Sequence, residues 1–317
     1  MNKILKDFVV KFRTMQGCDS PYIPGWDCHG LPIEHKVLED EVKAGGGGKE
    51  PGERDALAIR KKCLAFAEKF IDSQRRQFKR TLTLGRWEQP YKTTSPVYEG
   101  AVLDCFADLL EKGLITRSKK PVHWSWAAGS ALAEAELEYE DRYDQSIFVK
   151  FQVDHEMAKA WASGGQRPIT DANKLFLVIW TTTPWTLPAN VAVAVSEAAE
   201  YALVETGGET WLVAADLVPK LLDKAKVQEA HVRGVVKGSE LVALTYSHAL
   251  FSTPGHRVVT ADYVTLEDGT GLVHTAPGHG ADDFVTGQKH GLPTVQPVDN
   301  HGSYYTGDRL LKELGLE

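Results

Sequence analysis

The chain has 317 residues, 43% of them apolar and 25% charged, with a formal net charge of −7. That composition is ordinary for a globular protein of about two domains, and it excludes a uniformly basic nucleic-acid binder. No apolar run approaches the roughly 20 residues of a membrane-spanning helix, and Met1 to Lys11 mixes Lys and Asp with single apolar side chains, unlike a secretory leader. The average charge hides an asymmetry: residues 1–138 carry +2 and residues 139–317 carry −9. Cys18, Cys28, Cys63 and Cys105 form no C-x-x-C pair, so a reduced, cytoplasmic protein without a structural zinc site is expected.

Ile4, Leu5, Phe8, Val9 and Phe12 recur at helical spacing, which predicts an amphipathic helix over Asn2 to Met15. No strand precedes it and almost no room is left for an N-cap, so the chain reads as entering a structural unit part-way. Tyr22 to Trp26 is expected to hold a short strand, and Pro32 to Val42 a second helix. Gly45 to Gly48 reads as a flexible loop; without a following G-K-[ST] it is not a phosphate loop. Residues 53–79 form the most strongly patterned helix. Arg60 to Arg80 holds eight Lys/Arg against Glu68 and Asp72, which reads either as a solvated face or as a phosphate-backbone contact. Val97 to Lys112 predicts another helix closed by Gly113, and Leu114 to Thr116 a short strand.

From about Asp141 the pattern turns to strands. Ser146–Val153, Leu175–Trp180, Val191–Val195, Tyr201–Val204, Trp211–Val213, Arg257–Val259 and Leu272–His274 each read as one, separated by turns such as Gly207-Gly208 and Asp268-Gly269. One short helix is expected over Ala214 to Lys226. This half reads as a compact β-rich domain, and no repeat of fixed period is visible.

Three stretches are dense in residues that carry chemistry. In Trp180 to Asn190, three consecutive threonines close an apolar strand before two prolines and a tryptophan stop it. Threonine there reads equally as β propensity and as hydroxyls gathered at a ribose, an ester or a water. In Gly269 to Phe284, His274 ends a strand, and Asp282 and Asp283 stand where a helix begins. A helix N-cap and a carboxylate holding a cationic amine are both open. The spacing of His274, His279 and Asp283 fits no zinc pattern, and no G-x-S-x-G elbow exists for a serine triad. In Pro24 to Glu34, Asp27 is either an Asx turn or an anion facing an ammonium group. Cys28 and His29 are adjacent, which does not suit a nucleophile–base pair.

Gly25-Trp26-Asp27-Cys28-His29-Gly30-Leu31-Pro32-Ile33-Glu34 resembles the segment after the first signature of class I isoleucyl-tRNA synthetases; valyl and leucyl relatives differ in this stretch. Trp180–Asn190 resembles the threonine-rich strand of that family's inserted editing domain, and Gly269–Phe284 its second signature. Lys120-Pro121-Val122-His123-Trp124-Ser125 and Ala131-Leu132-Ala133-Glu134-Ala135-Glu136 resemble the bridge into the insertion. The resemblance covers essentially the whole chain, in order. Arg86-Trp87 stands where the family often has Asp-Trp, and Ser125 to Gly129 departs from a common Cys-containing version.

The resemblance implies an α/β fold: a partial Rossmann-like catalytic core over residues 1–140, and a β-rich, β-barrel-like editing insertion over 141–317. It implies an internal fragment, since the H-x-G-H signature would precede Met1 and the K-M-S-K-S loop would follow Glu317; this piece alone is then expected not to aminoacylate. The full enzyme would use ATP with Mg2+ to charge tRNA(Ile) with isoleucine, as a cytoplasmic monomer. Pro24, Gly25 and Asp27 would bind isoleucine, Asp27 through its amino group. Valine is the physical problem, because one missing methylene is worth only about 1–3 kcal/mol, the long-established figure for this amino-acid pair. A smaller hydrolytic pocket is therefore implied. Asp283 would hold the amino group of mischarged valine; Thr181, Thr182, Thr183 and Asn190 would position the terminal adenosine and a water; and His274 would border the side-chain pocket. Neither a metal nor a covalent intermediate is needed when water and ester are oriented. A freestanding trans-editing hydrolase and an inert tRNA-binding remnant are the other expectations.

Overall fold

The computed structural model describes residues 2–43, 55–165, 167–169, 171–253 and 255–314. The glycine run at 45–48 lies outside the described residues. The chain divides into two compact units, Met1–Ser118 and Lys119–Glu317.

The first unit is mostly helical: α1 (Asn2–Met15), β1 (Gly25–Trp26), α2 (Leu31–Lys43), α3 (Ala56–Arg80), β2 (Tyr91–Lys92) and α4 (Pro96–Glu111). The Asp55 side chain caps α3 by accepting from the Leu57 and Ala58 amides, and Ser95 caps α4 through the Tyr98 amide. The strand expected over Tyr22–Trp26 is cut to two residues, which pair in parallel with β2. Leu114 to Thr116 forms no strand; Leu114 is 70% exposed and finds no sheet to join. Cys28, Ala67 and Ile71 make a small core beside Trp26. Phe78 stacks on Trp87 at 5.7 Å, and buried Asp7 ties α1 to the loop after α3 by accepting from the Leu84 amide at 2.9 Å.

The second unit opens with a hairpin, β3 (Trp124–Ser125) and β4 (Ser130–Ala131), then continues through β5 (Ile147–Gln152), α5 (His155–Gly164), β6 (Leu175–Thr181), β7 (Ala192–Val195), β8 (Glu200–Thr206), β9 (Glu209–Ala214), α6 (Val218–Lys224), β10 (His231–Lys237), α7 (Gly238–Leu241), β11 (Thr245–Tyr246), β12 (His256–Thr260), β13 (Leu272–Thr275), α8 (Ala281–His290) and α9 (Gly307–Leu314). The helix expected over Ala214–Lys226 is shorter, because β9 runs through Ala214 and a 3-10 turn precedes α6.

One sheet has the order β10-β8-β9-β6-β5 and the other β11-β12-β7-β13. A single antiparallel bridge, Val153 to Tyr246, joins β5 at the edge of the first to β11 at the edge of the second. At the far side, the Tyr201 hydroxyl of β8 donates to the Gly271 carbonyl at 2.7 Å, just before β13. The sheets thus wrap toward a barrel around Phe151, Leu177, Ile179, Leu203, Leu212 and Tyr246. In β7 the strand alternation sends Val193 and Val195 into this core, and Ala192 and Ala194 into a second one with Val259 and Val264. Gly271, at φ +73°, is needed where β13 begins, since a Cβ there would come within 2.3 Å of the Ala214 Cβ.

Candidate active site

β6 is buried along most of its length and ends at Thr181. The chain cannot continue as strand because Pro184 and Pro188 lack amide donors. It turns instead into a 3-10 segment, Pro184–Ala189, before entering β7. Thr181 Oγ1 accepts from the Thr183 amide at 3.0 Å and lies 3.3 Å from Thr183 Oγ1. β13 pairs antiparallel with β7, which sets His274 opposite Val193 and behind the 3-10 turn. The turn after β13 brings the first helical turn of α8, with Asp283, back over the strand end.

These elements line a cleft of ≈ 320 Å³. Thr181, Thr182, Thr183, His274 and Asp283 all face it, together with Trp180, Thr186, Tyr263 and His279. Asn190 does not: it is 2% exposed and lies behind His274. Its Nδ2 donates to the Ala192 carbonyl at 2.9 Å and to His274 Nδ1 at 2.8 Å, while its Oδ1 accepts from the Tyr246 hydroxyl at 2.6 Å. A carbonyl can only accept, so Ala192 fixes which end of the amide faces His274. His274 Nδ1 is therefore the acceptor, and Nε2 carries the proton and donates to Thr186 Oγ1 at 2.8 Å. The Thr186 hydroxyl in turn donates to the Thr183 carbonyl at 2.8 Å. Burial, reinforced by His248 and His279, pushes His274 down to about 4. At neutral pH it is an uncharged ring with both nitrogens engaged, a wall of the cleft rather than a free base.

Asp283 is not the helix N-cap. Gly280 holds that position, and Asp283 Oδ2 accepts from the Ala276 amide at 2.8 Å while Oδ1 accepts from the Tyr263 hydroxyl at 3.2 Å. Burial raises its pKa, against the pull of those two donors. Tyr263 is pushed up to about 12 by burial and by the neighbouring Asp283 charge. Trp180 Nε1 and His279 Nε2, on two residues that line the cleft, are buried and have no hydrogen-bond partner among the described residues. No group of three or more His, Cys, Asp or Glu side chains stands ready for a metal among the described residues.

In the first unit, Pro24, Gly25 and Asp27 line a separate cavity of ≈ 130 Å³ with Tyr22, Trp26 and Trp87. Asp27 accepts from the His29 amide at 3.3 Å, an Asx turn, and from Thr93 Oγ1 at 3.4 Å. The turn and the cavity coexist, because one carboxylate serves both. Of the eight basic residues in Arg60–Arg80, four carry ion pairs with other described residues: Arg60 with Glu99, Lys62 with Glu41, Arg75 with Asp72 and Lys79 with Glu88.

The sequence model of the tRNA synthetases class I (I, L, M and V) matches residues 1–250. The chain belongs to that family. An isoleucine–tRNA ligase from Thermotoga petrophila is 45% identical over 305 residues, covering 96% of this chain and 31% of its own length. One from Thermotoga neapolitana is 46% identical over 308 residues, with the same 96% and 31% coverage. The class I chain thus spans about a third of the length of the curated relatives it matches. A solved structure, the P. knowlesi cytosolic leucyl-tRNA synthetase editing domain, overlaps 48% of this chain and 66% of its own at 14% identity with a TM-score of 0.39, below the level at which a shared fold can be argued.

Sequence reasoning missed Thr186, Tyr246, His248 and Tyr263. Thr186 lies inside a stretch already singled out. Tyr246 and His248 stand in an unremarkable segment 56 and 61 residues from their partners Asn190 and Leu187, and only the folded sheets bring them together.

Proposed function

We propose that this class I chain carries the hydrolytic editing site of an isoleucine–tRNA ligase, and that the cleft in the second unit removes valine from mischarged tRNA(Ile). On this reading the 1–140 segment belongs to the catalytic core and 141–317 to the editing insertion, with residues 119–140 packing on the insertion through contacts such as Trp124 Nε1 to the Asn300 carbonyl at 2.8 Å. ATP and Mg2+ serve the charging of isoleucine, for which Pro24, Gly25 and Asp27 supply the amino-acid pocket.

The observation that carries the reading is Asp283. Its carboxylate is held by an amide and a phenol, faces a threonine-lined cleft, and is raised by burial with no cation beside it among the described residues. A half-buried, partly desolvated charge of this kind is stabilised by an opposite one, and the α-ammonium group of an aminoacyl ester supplies it. Thr181, Thr182 and Thr183 then face the terminal ribose and the attacking water. His274 bounds the side-chain space as an uncharged wall. Hydrolysis follows from orientation: a water held in line with the ester carbon reacts far faster than one in bulk.

The test is deacylation of valyl-tRNA(Ile), with isoleucyl-tRNA(Ile) as control and Asp283→Ala alongside. Selective loss of valine that vanishes in the variant is expected. Equal hydrolysis of both esters, or full activity in the variant, overturns the reading.

A further inference from the structure

The hydrogen bonds behind the cleft run in one direction. The Tyr246 hydroxyl donates to Asn190 Oδ1, Asn190 Nδ2 to His274 Nδ1, His274 Nε2 to Thr186 Oγ1, and Thr186 Oγ1 to the Thr183 carbonyl, at 2.6, 2.8, 2.8 and 2.8 Å. Asn190, His274, Thr186 and Tyr246 are 2%, 7%, 6% and 0% exposed, so water does not compete. The chain of bonds starts on β11, the strand that the Val153–Tyr246 bridge joins to the other sheet, and ends on the rim of the cleft.

We propose that Tyr246 is a positioning residue of this cleft: together with the Ala192 carbonyl it anchors the two ends of the Asn190 amide, which holds His274 with its proton on Nε2 and so turns the Thr186 hydroxyl proton onto the Thr183 carbonyl. The proposal rests on the editing reading for what the ligand is, but not for the relay itself. Thr186 lines the cleft, and its Oγ1 accepts one hydrogen and donates its own, which leaves it one free lone pair and no free proton. The floor there accepts. A water on this floor donates a hydrogen bond to Thr186 Oγ1, keeps both its hydrogens, and presents a lone pair to the ester carbon. With the proton on His274 Nδ1 instead, Nε2 would accept from Thr186, and the Thr183 carbonyl would keep only the Thr186 amide, at 3.0 Å. The relay transfers no proton; it sets which groups donate and which accept.

His248 braces the same turn from the same segment. Its ring Nε2 lies 3.0 Å from the Leu187 carbonyl, and its Nδ1 accepts from the Leu250 amide at 3.1 Å. That carbonyl belongs to the 3-10 segment carrying Thr186, so Tyr246 and His248, two residues apart in the chain, together hold the turn.

The experiment is nitrogen NMR on the full chain labelled with 15N-histidine, the His274 signals assigned by their loss in His274→Gln, read beside steady-state deacylation of valyl-tRNA(Ile). In the unmodified chain His274 is expected to show a bare Nδ1 and a protonated Nε2. Tyr246→Phe removes one hydroxyl and keeps the ring. It leaves the buried Asn190 Oδ1 without its donor, and is expected to loosen the amide from Ala192, mix the two tautomers and lower kcat about tenfold with KM within about twofold, a split that general loosening of the fold does not produce. Asn190→Asp, which presents an acceptor to Nδ1, is expected to move the proton to Nδ1 whether or not Tyr246→Phe folds. A proton on Nδ1 in the unmodified chain overturns the proposal. So does a Tyr246→Phe variant with a pure Nε2 tautomer and undiminished kcat. If the unmodified chain hydrolyses no valyl ester while the tautomers behave as stated, the editing reading fails and the relay stands.

Discussion

In the second unit, Phe151, Leu177, Ile179 and Tyr246 are fully buried between two sheets; in the first, the buried apolar cluster comes down to Cys28, Ala67 and Ile71. The helices of the first unit keep apolar faces in the open: Phe8, Val9, Leu103 and Phe106 are 61%, 62%, 68% and 53% exposed, and no residue of α4 is buried. The contrast extends to the two candidate pockets. Asp27 is held by a local Asx turn and one long threonine contact, whereas His274 is held by buried Asn190 and Thr186 and Asp283 by Tyr263 and the Ala276 amide, from separate segments of the fold. A site that depends on the direction of buried hydrogen bonds needs a complete core around it, because one unsatisfied buried group costs about 1–3 kcal/mol. Residues 119–317 supply that core from their own side chains.

The sharpest break in the comparison is functional. Removing the ammonium partner with Asp283→Asn is expected to cost about a thousandfold in hydrolysis of the valyl ester, the scale for truncating a buried charge pair, while the matching Asp27→Asn leaves it unchanged. Asp283→Asn is also expected to leave thermal stability equal or raised. Its folded pKa lies above the ordinary carboxylate value, so the ionised form is disfavoured on folding and a neutral amide relieves that cost. A fall in melting temperature with activity intact would reverse both assignments.

Next in size is the core itself. Leu177→Ala, at a fully buried position on β6, an interior strand of its sheet, is expected to cost about 2–5 kcal/mol in urea unfolding. Val102→Ala, on the half-exposed face of α4, is expected to cost about 0.5 kcal/mol or less. Similar costs would mean that the two units are equally packed. Hydrogen exchange should show the same order, with β6 and β7 protected far longer than α1 and α4.

The elements of both units are legible in the sequence where periodicity is local. Helical spacing locates α1, α3 and α4, and alternation locates β5, β6 and β7. Leu114 to Thr116 has strand composition but no neighbouring strand, and composition cannot register a missing partner. β10 escapes a reading by alternation because Gly234 breaks its pattern at a register shift opposite β8. Within the cleft, the threonines, His274 and Asp283 can be picked out because unusual residues crowd two short stretches. Tyr246 cannot: its hydroxyl matters through one hydrogen bond made across the sheets, and nothing local distinguishes it from any aromatic residue on a strand. Asn190 stands out in the sequence, but its side chain faces the ring of His274 rather than the cleft.

Acid should separate the units by a smaller margin. Burial holds His248 and His274 at about 4, against an ordinary 6.5 that the unfolded chain regains. As pH falls below about 6.5 the unfolded state takes up these protons first, so stability is lost progressively down to about pH 4, by roughly 1–2 kcal/mol per histidine at pH 5. The loss should appear in the second unit, read by the unfolding of its sheets in circular dichroism, and His248→Gln should flatten its share. A melting temperature level between pH 7 and pH 5 would show that these rings are solvated.

The smallest effect concerns the basic face of α3. Arg60, Lys62, Arg75 and Lys79 are already engaged with carboxylates, and exposed pairs of this kind contribute little to stability. If that face also meets the phosphate backbone of a tRNA, Arg76→Glu with Arg80→Glu should weaken binding a few-fold at about 0.05 M salt and less at higher salt, because each phosphate that is no longer neutralised takes about one unit off the salt slope. The hydrolysis rate at saturating substrate should not change, since the cleft lies in the other unit. An unchanged salt slope in the double variant would make this helix a solvated surface, and the charge difference between the two halves of the chain would then have no bearing on tRNA.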